Sequence, residues 1–360
     1  MNSITNIYQR YSYLSQDGPA IAAPPNNRDN NFNLLRLVLA ALVIVSHAPE
    51  LVDGDKHREL LTRVFHTISF GDLAVDGFFL LSGFLIVQSW DRRPALLHFM
   101  KNRILRIYPA FIVASLISVF IVGPLVASSS RYLAEVVPQE VFWRALTLRI
   151  PMGGRAFAGL PYSSLNGAMW TIAYEFRCYM LVAFLGTCGV VRRRWSWLLI
   201  TAIVSLIHAG GLTLLIGERA NASAKARLLA FFLVGGCFYL YRDRIRYANG
   251  RVLLGVLVVF LCLFNMRTTR VALLFPGAYV LFFVAFFRSP ILARFRSYPD
   301  VSYGLYLYGW PMQMVFQWYL PSFSPWLLLP LVLGSAGLLG TLSWYLVEKP
   351  FLSLKRAATG

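Results

Sequence analysis

Arg36 and His47 stand in LLRLVLAALVIVSHAPE, residues 34–50, a run otherwise apolar enough to lie inside a membrane. On an ideal helix their spacing is about three turns plus roughly 20°, with a rise of about 16 Å, so both share one face half a bilayer apart. A charged group at the centre of a bilayer costs about 3 kcal/mol or more, so residues of this kind line a polar path rather than face lipid. Two other apolar segments carry the same signature. GDLAVDGFFLLSGFLI puts Asp76 near the start of one, and MWTIAYEFRCY puts Glu175 about two turns into another. With successive segments running in opposite directions, His47, Asp76 and Glu175 fall at similar depth, which points to a shared polar cavity. The chemistry open to such a cavity is proton transfer by the histidine, held in its working orientation by Glu175 or Asp76. The plainer alternative is that Glu175 pairs with Arg177 or Arg36 and only neutralises charge.

A second group sits in FMKNRILRIYP, read as a cytoplasmic loop just before the next apolar segment. Arg103 and Arg106, at i and i+3, share a helical face and make a candidate phosphate clamp, with Lys101 beside them. Basic loops are also what membrane topology demands, and Arg36 in the neighbouring segment is what favours the ligand reading. A ligand lying along the Arg36–His47 face would be anionic at one end and reactive at the other.

The elements that position these residues follow from composition. Of 360 residues, 57% are hydrophobic and 14% charged, against about 25% charged in soluble domains, so this is an all-α polytopic membrane protein. Ten apolar stretches near the roughly 20 residues that cross a bilayer lie at 32–49, 74–90, 108–127, 169–190, 196–216, 228–241, 252–266, 271–287, 301–320 and 326–347. The eighth is interrupted by Pro276 and Gly277, which predicts a kink or a cavity lining. Assigning Lys and Arg to alternate sides gives the larger share to the side holding Arg92, Arg93, Arg192 to Arg194 and Arg242, which makes both termini cytoplasmic. The net charge of +18 lies in short runs between apolar segments, not on one face, which excludes a nucleic-acid partner. Cys178, Cys188, Cys237 and Cys262 fall in apolar stretches without paired or ligand spacing, so neither a disulfide framework nor a metal site is expected.

The domain reading is a cytoplasmic tail over 1–31 without signal-peptide pattern, one membrane domain over 32–348, and a cytoplasmic tail over 349–360. The longest external loop, 128–168, holds VPQEVFWRALTL, predicted as an interfacial helix starting near Pro138, and then the Gly-rich PMGGRAFAGLPYSSLNG. It is the candidate recognition lid. Asn166, Trp170 and Tyr174 cluster at the outer mouth of the fourth segment, where aromatic faces and an amide suit a sugar, with Tyr162 above. Trp143 reads as an interfacial anchor. The stripe Tyr303, Tyr306 and Trp310 reads as packing. Ser82 and Gly83 form a small-residue stretch that lets helices approach.

In order and spacing these motifs resemble the acyltransferase-3 family of integral membrane O-acyltransferases, which modify extracytoplasmic carbohydrates using acyl-CoA. The residues that carry the resemblance are RLVLAALVIVSH, DGFFLLSGF, RILRIYP, WTIAYE followed by Tyr179, and WYLVEKPFLSL. It implies His47 as the catalytic histidine with Arg36 as its paired arginine, Arg103 and Arg106 as donor-phosphate contacts with Lys101 and Ser82 on the same donor side, and Glu175 beside the active centre. One departure is visible in SYGLYLYGWPMQ, where many members carry histidine and this chain has Gly309. The resemblance further implies acetyl-CoA or another acyl-CoA as co-substrate, no metal, a carbohydrate or glycolipid acceptor, and a place as a multi-pass protein in the lipid bilayer of a bacterial inner membrane. His47 would serve as general base, or as a nucleophile that carries the acyl group. A proton-coupled transporter of a polar or anionic solute is the rival reading, since it too needs embedded Asp, Glu, His and Arg, although no repeated half is detectable.

Overall fold

The computed structural model describes residues 30–127, 129–153, 156–210, 220–289, 292, 295 and 298–354, and of 220–223 the backbone alone. The expected tails before residue 30 and after 354, residues 211–216 of the fifth predicted segment, and Gly154 and Arg155 of the Gly-rich loop lie outside the described residues.

Each predicted segment meets a helix. They are α1 (Phe32–Asp53), α2 (Phe70–Arg92), α3 (Leu96–Val126), the interfacial α4 (Pro138–Leu146), α5 (Trp170–Thr187), α6 (Arg194–His208), α7 (Ala220–Leu240), α8 (Asn249–Cys262), α9 (Met266–Phe286), α10 (Ser302–Tyr319) and α11 (Pro325–Ser353). Among the described residues there is no strand, only a lone bridge between Ala127 and Ala156. Five helices, α1, α2, α3, α9 and α11, are long and apolar enough to cross a membrane. Outward faces fit that solvent: α8 exposes Leu253, Leu254, Leu257, Phe260 and Leu261, and α11 exposes Leu327, Leu331 and Leu338.

Three boundaries differ from the sequence expectation, and each matters for the site. Helix α1 continues through Pro49 to Asp53, which carries Glu50 into the helix one turn after His47. Helix α3 begins at Leu96, so Lys101, Arg103 and Arg106 lie within a helix and not in a loop. No Gly or Pro interrupts residues 96–108, and Pro109 is carried inside the helix. Helix α2 starts four residues before its apolar run, because Ser69 and Asp72 close a capping box on its first turn. The interfacial helix starts at Pro138 as expected, with Phe142 and Trp143 exposed. A π turn at Leu273–Gly277 interrupts α9 where Pro276 predicts an irregularity.

Helix α2 is central, packing along α7 on one side and α1 on the other, with α10 against α1 and α11 against α10. A Cβ on Gly83 would collide with the Phe232 carbonyl oxygen, and one on Gly235 with that of Leu80, so α2 and α7 touch backbone to backbone. Asn31 fixes the start of α1 by donating its side-chain amide to the carbonyls of Val284 (2.8 Å) and Phe287 (2.7 Å) at the end of α9. Helix α1 itself packs against α2, α10 and α11.

Candidate active site

Two cavities open in this helical frame, one toward each end of α1. The first, about 610 Å³, is lined by Arg36 of α1, Ser82 of α2, Arg103 and Arg106 of α3, and Glu175 and Tyr179 of α5. The second, about 440 Å³, is lined by His47 and Glu50 of α1, Tyr162 of the long loop, Trp170 of α5, Arg227 of α7 and Trp310 of α10.

The cationic cavity is not a uniform set of free charges. Arg36 donates to Asp300 Oδ2 at 3.1 Å; Arg106 donates to the same oxygen at 2.5 Å and to Glu348 Oε2 at 3.1 Å. Asp300, in the turn before α10, is buried; burial alone would raise its carboxyl, but the Arg106 and Arg36 guanidiniums hold it below the ordinary carboxylate range. Arg103 differs. Among the described residues no carboxylate pairs with it; its guanidinium lies over the rings of Phe99 and Tyr179 and reaches Ser89 Oγ at 3.4 Å, and its Nε lacks a partner. A half-buried cation left without a counter-ion is the group here that an incoming anion would satisfy. Lys101 is exposed on the outer face of α3 and takes no part in the lining.

Glu175 belongs to this same cavity. Its Oε1 accepts from Ser82 Oγ and, at 2.7 Å, from the Tyr179 hydroxyl. It is therefore not the partner of His47, and it pairs with neither Arg36 nor Arg177. Asp76 is also not beside His47: it is buried and lies 3.3 Å from Arg227 Nε, while Asp72 takes Arg227 NH1 at 2.7 Å. The three ionisable groups expected to converge are thus split among three places, because α7, from which Arg227 enters, packs along α2 and draws Asp76 toward itself.

The carboxylate on His47 is Glu50. His47 Nδ1 lies 2.9 Å from Glu50 Oε2, one turn along α1. Glu50 is held from its other side: the Tyr162 hydroxyl donates to Oε1 at 2.5 Å, and Lys56 Nζ lies 3.4 Å from the same oxygen. Partial burial and the bond to Glu50 push the Tyr162 phenol up to about 12, so it remains a donor at neutral pH. In the neutral tautomer that donates Nδ1–H to Glu50, the lone pair is on Nε2. The His47 ring also meets Trp310 edge to face at 5.1 Å, and Trp310 meets Tyr162 at 5.6 Å. The spacing His47–Ala48–Pro49–Glu50 was open to reading from sequence, but only once the helix is known to pass Pro49 does it become a pair.

Of the acceptor-side residues, Trp170 lines the second cavity and is 39% exposed. Tyr174 stands behind it, ring edge to ring face at 5.6 Å, with Arg177 and Lys225 over its own ring. Asn166 is fully buried and donates to the Leu307 carbonyl at 2.7 Å, which ties the long loop to α10 rather than facing the cavity. Trp310 does the same through Ser164 O at 3.1 Å. Read from sequence as packing, Tyr303, Tyr306 and Trp310 all line one or both cavities. Gly309 marks the closest approach of α10 to α1, where a Cβ would lie 2.6 Å from Ile44 Cγ1 and 2.8 Å from Cδ1. A histidine does not fit that place as the helices stand.

Apolar helices of spanning length and two polar cavities, one cationic and one with a His–Glu pair, describe a helical membrane protein built around polar chambers. The family model for an acyltransferase domain matches residues 29–348, and the chain belongs to the acyltransferase-3 family. Its relatives include the O-acetyl transferase of Shigella phage Sf6, 26% identical over 340 residues covering 91% of this chain and 97% of the phage protein. Nodulation protein 10 of Rhizobium leguminosarum bv. viciae is 27% identical over 367 residues, covering 91% of this chain and 94% of that protein. No solved structure matches the chain. Family membership favours a transferase over the transporter reading.

Proposed function

We propose that the protein moves an acetyl group from acetyl-CoA, entering the Arg103 cavity from the cytoplasm, to a hydroxyl of a carbohydrate or glycolipid that enters the His47 cavity from outside. The observation that carries this reading is that a cavity with an unpaired arginine and a cavity with a histidine–carboxylate pair meet wall to wall, both lined by Val75, Thr171 and Tyr306. The phosphate groups of the donor would sit at Arg103, with Arg92 and Arg93 at the mouth. Arg36 and Arg106, balanced by Asp300 and Glu348, would shape the cavity without adding net charge to it. The relative named an O-acetyl transferase supports acetyl as the group carried.

In this reading the acceptor hydroxyl gives its proton to His47 Nε2 as its oxygen bonds to the thioester carbon. The carbon–sulfur bond then breaks, and the imidazolium returns the proton to the leaving thiolate. Glu50 stabilises the imidazolium and holds the ring tautomer, while Tyr162 and Lys56 hold Glu50. The aromatic faces of Trp170 and Trp310 supply the surface on which a sugar ring lies. The ten-helix crossing with both termini inside the cell, in a bacterial inner membrane, is the topology that this direction of flow requires.

The test is equilibrium binding of acetyl-CoA to the detergent-purified protein, alongside Arg103→Ala and His47→Ala. Binding by wild type and by His47→Ala, lost in Arg103→Ala, with transfer to membrane glycan lost in both variants, supports the reading. Absence of acetyl-CoA binding in a folded wild-type sample overturns it.

A further inference from the structure

The two cavities touch at one layer of side chains. Val75 of α2, Thr171 of α5 and Tyr306 of α10 line both of them. The layer is fastened by hydrogen bonds: the Tyr306 hydroxyl donates to the Ala168 carbonyl at 2.6 Å, which leaves the Thr171 hydroxyl to donate to the Tyr306 oxygen, also at 2.6 Å. Thr171 and Tyr306 are buried at 7% and 8% exposure, and the Tyr306 ring is braced edge to face by Phe78 at 6.0 Å. Val75 completes the layer with a short, branched side chain that has no freedom to swing away inside a helix.

We infer that Val75, Thr171 and Tyr306 form the aperture through which the acyl end of the donor passes, and that their bulk selects a two-carbon acyl group. This rests on the proposed acyl-CoA-dependent transfer. The phosphates stay at Arg103 in the first cavity and the base is His47 in the second, so the thioester carbon must reach this layer and nothing larger than the acyl group need cross it. A longer chain would have to displace Val75 or break the Thr171–Tyr306–Ala168 chain of hydrogen bonds, whose ends lie three residues apart, Ala168 in the short turn just before α5 and Thr171 in its first turn. The layer is a specificity element and also keeps water of one cavity from the other while no donor is bound.

The experiment is an acyl-length profile: incorporation of radiolabelled acetyl, propionyl and butyryl groups from their CoA thioesters into the glycan fraction of membranes from expressing cells. Wild type is expected to discriminate by about tenfold or more per added methylene. Val75→Ala and Thr171→Ser, which remove a methyl or two at the aperture, are expected to bring propionyl within about threefold of acetyl by relieving the same steric penalty. Val75→Leu is expected to keep acetyl-CoA binding and lose acetyl transfer. An unchanged length profile in both enlarging variants, or wild-type acetyl transfer by Val75→Leu, overturns the aperture while leaving the transferase reading intact. No transfer from any thioester by wild type, in membranes where the protein is folded, removes the transferase reading and the aperture with it.

Discussion

His47 Nδ1 lies 2.9 Å from Glu50 Oε2, both on α1 and one helical turn apart, so the imidazole and the carboxylate bound to it move as one rigid piece. In this arrangement the histidine cannot be misaligned by sliding of one helix against another. The pair therefore depends on the last turn of α1, from Pro49 on, where Tyr162 of the long loop and Lys56 hold Glu50.

Glu50→Gln keeps the shape of that contact and removes its charge. We expect transfer to fall by about 10²–10⁴-fold, close to the loss in His47→Ala, because the imidazolium loses its counter-charge and the tautomer its constraint. Acetyl-CoA binding should be retained in both. The check is kcat for glycan acylation together with donor Kd; a Glu50→Gln protein with wild-type turnover would remove Glu50 from the mechanism.

Arg103 and Arg106 are equivalent in sequence, and the structure separates them. Arg103→Ala is expected to weaken donor binding with little effect on folding, since no internal carboxylate is left behind. Arg106→Ala strands the buried Glu348 and takes one of two counter-ions from Asp300, and should destabilise the protein by about 3–5 kcal/mol. Thermal unfolding in detergent measures the second, ligand titration the first. A stable Arg106→Ala protein that has lost acetyl-CoA binding would reverse the two assignments.

This difference also shows what the sequence could and could not reveal. Apolar runs marked a helix at each predicted segment, and among the described residues five of these helices are long and apolar enough to cross a membrane, because lipid imposes a composition that no local detail overrides. Arg36, His47, Asp76 and Glu175 stood out because an ionisable residue in such a run needs a reason. Which carboxylate meets which base did not follow, since depth along a helix gives height but not azimuth. Asp76 and Glu175 lie on α2 and α5 facing Arg227 and Ser82, and that is set by how α2, α5 and α7 pack. Glu50 was hidden by Pro49, which reads as a helix end, and Asp300 by lying in a turn. Tyr306 and Trp310 have the periodicity of core residues and are core residues on one side; that their other side lines a cavity is a property of the assembled bundle.

Asp300 has a pH consequence. Its carboxyl is held below the ordinary value, against the effect of burial, by Arg106 and Arg36. A group with a lowered folded-state pKa contributes stability that is fully present above its unfolded value of about 4 and lost as pH falls through the folded value. The Tm deficit of Asp300→Asn relative to wild type should therefore be largest near neutral pH and shrink below about pH 4. A deficit that stays constant as pH falls well below that value would mean that ionisation of Asp300 beside Arg36 and Arg106 contributes nothing to stability.

The Cβ direction of Gly309, where the family resemblance implies a histidine, runs into Ile44, three residues before His47 on α1. Introducing that histidine as Gly309→His should push α10 away from α1 and cost about 1–3 kcal/mol as an overpacked contact. It should also lower turnover, because Trp310 and the Gln313 amide, which donates to the Ile44 carbonyl at 2.6 Å, fix the His47 end of α1 against α10. Pairing it with Ile44→Ala opens room for the ring, and the double variant should recover most of the lost Tm. If Gly309→His alone is as stable and as active as wild type, the contact between α1 and α10 is looser than drawn here, and the placement of His47 is not governed by the glycine.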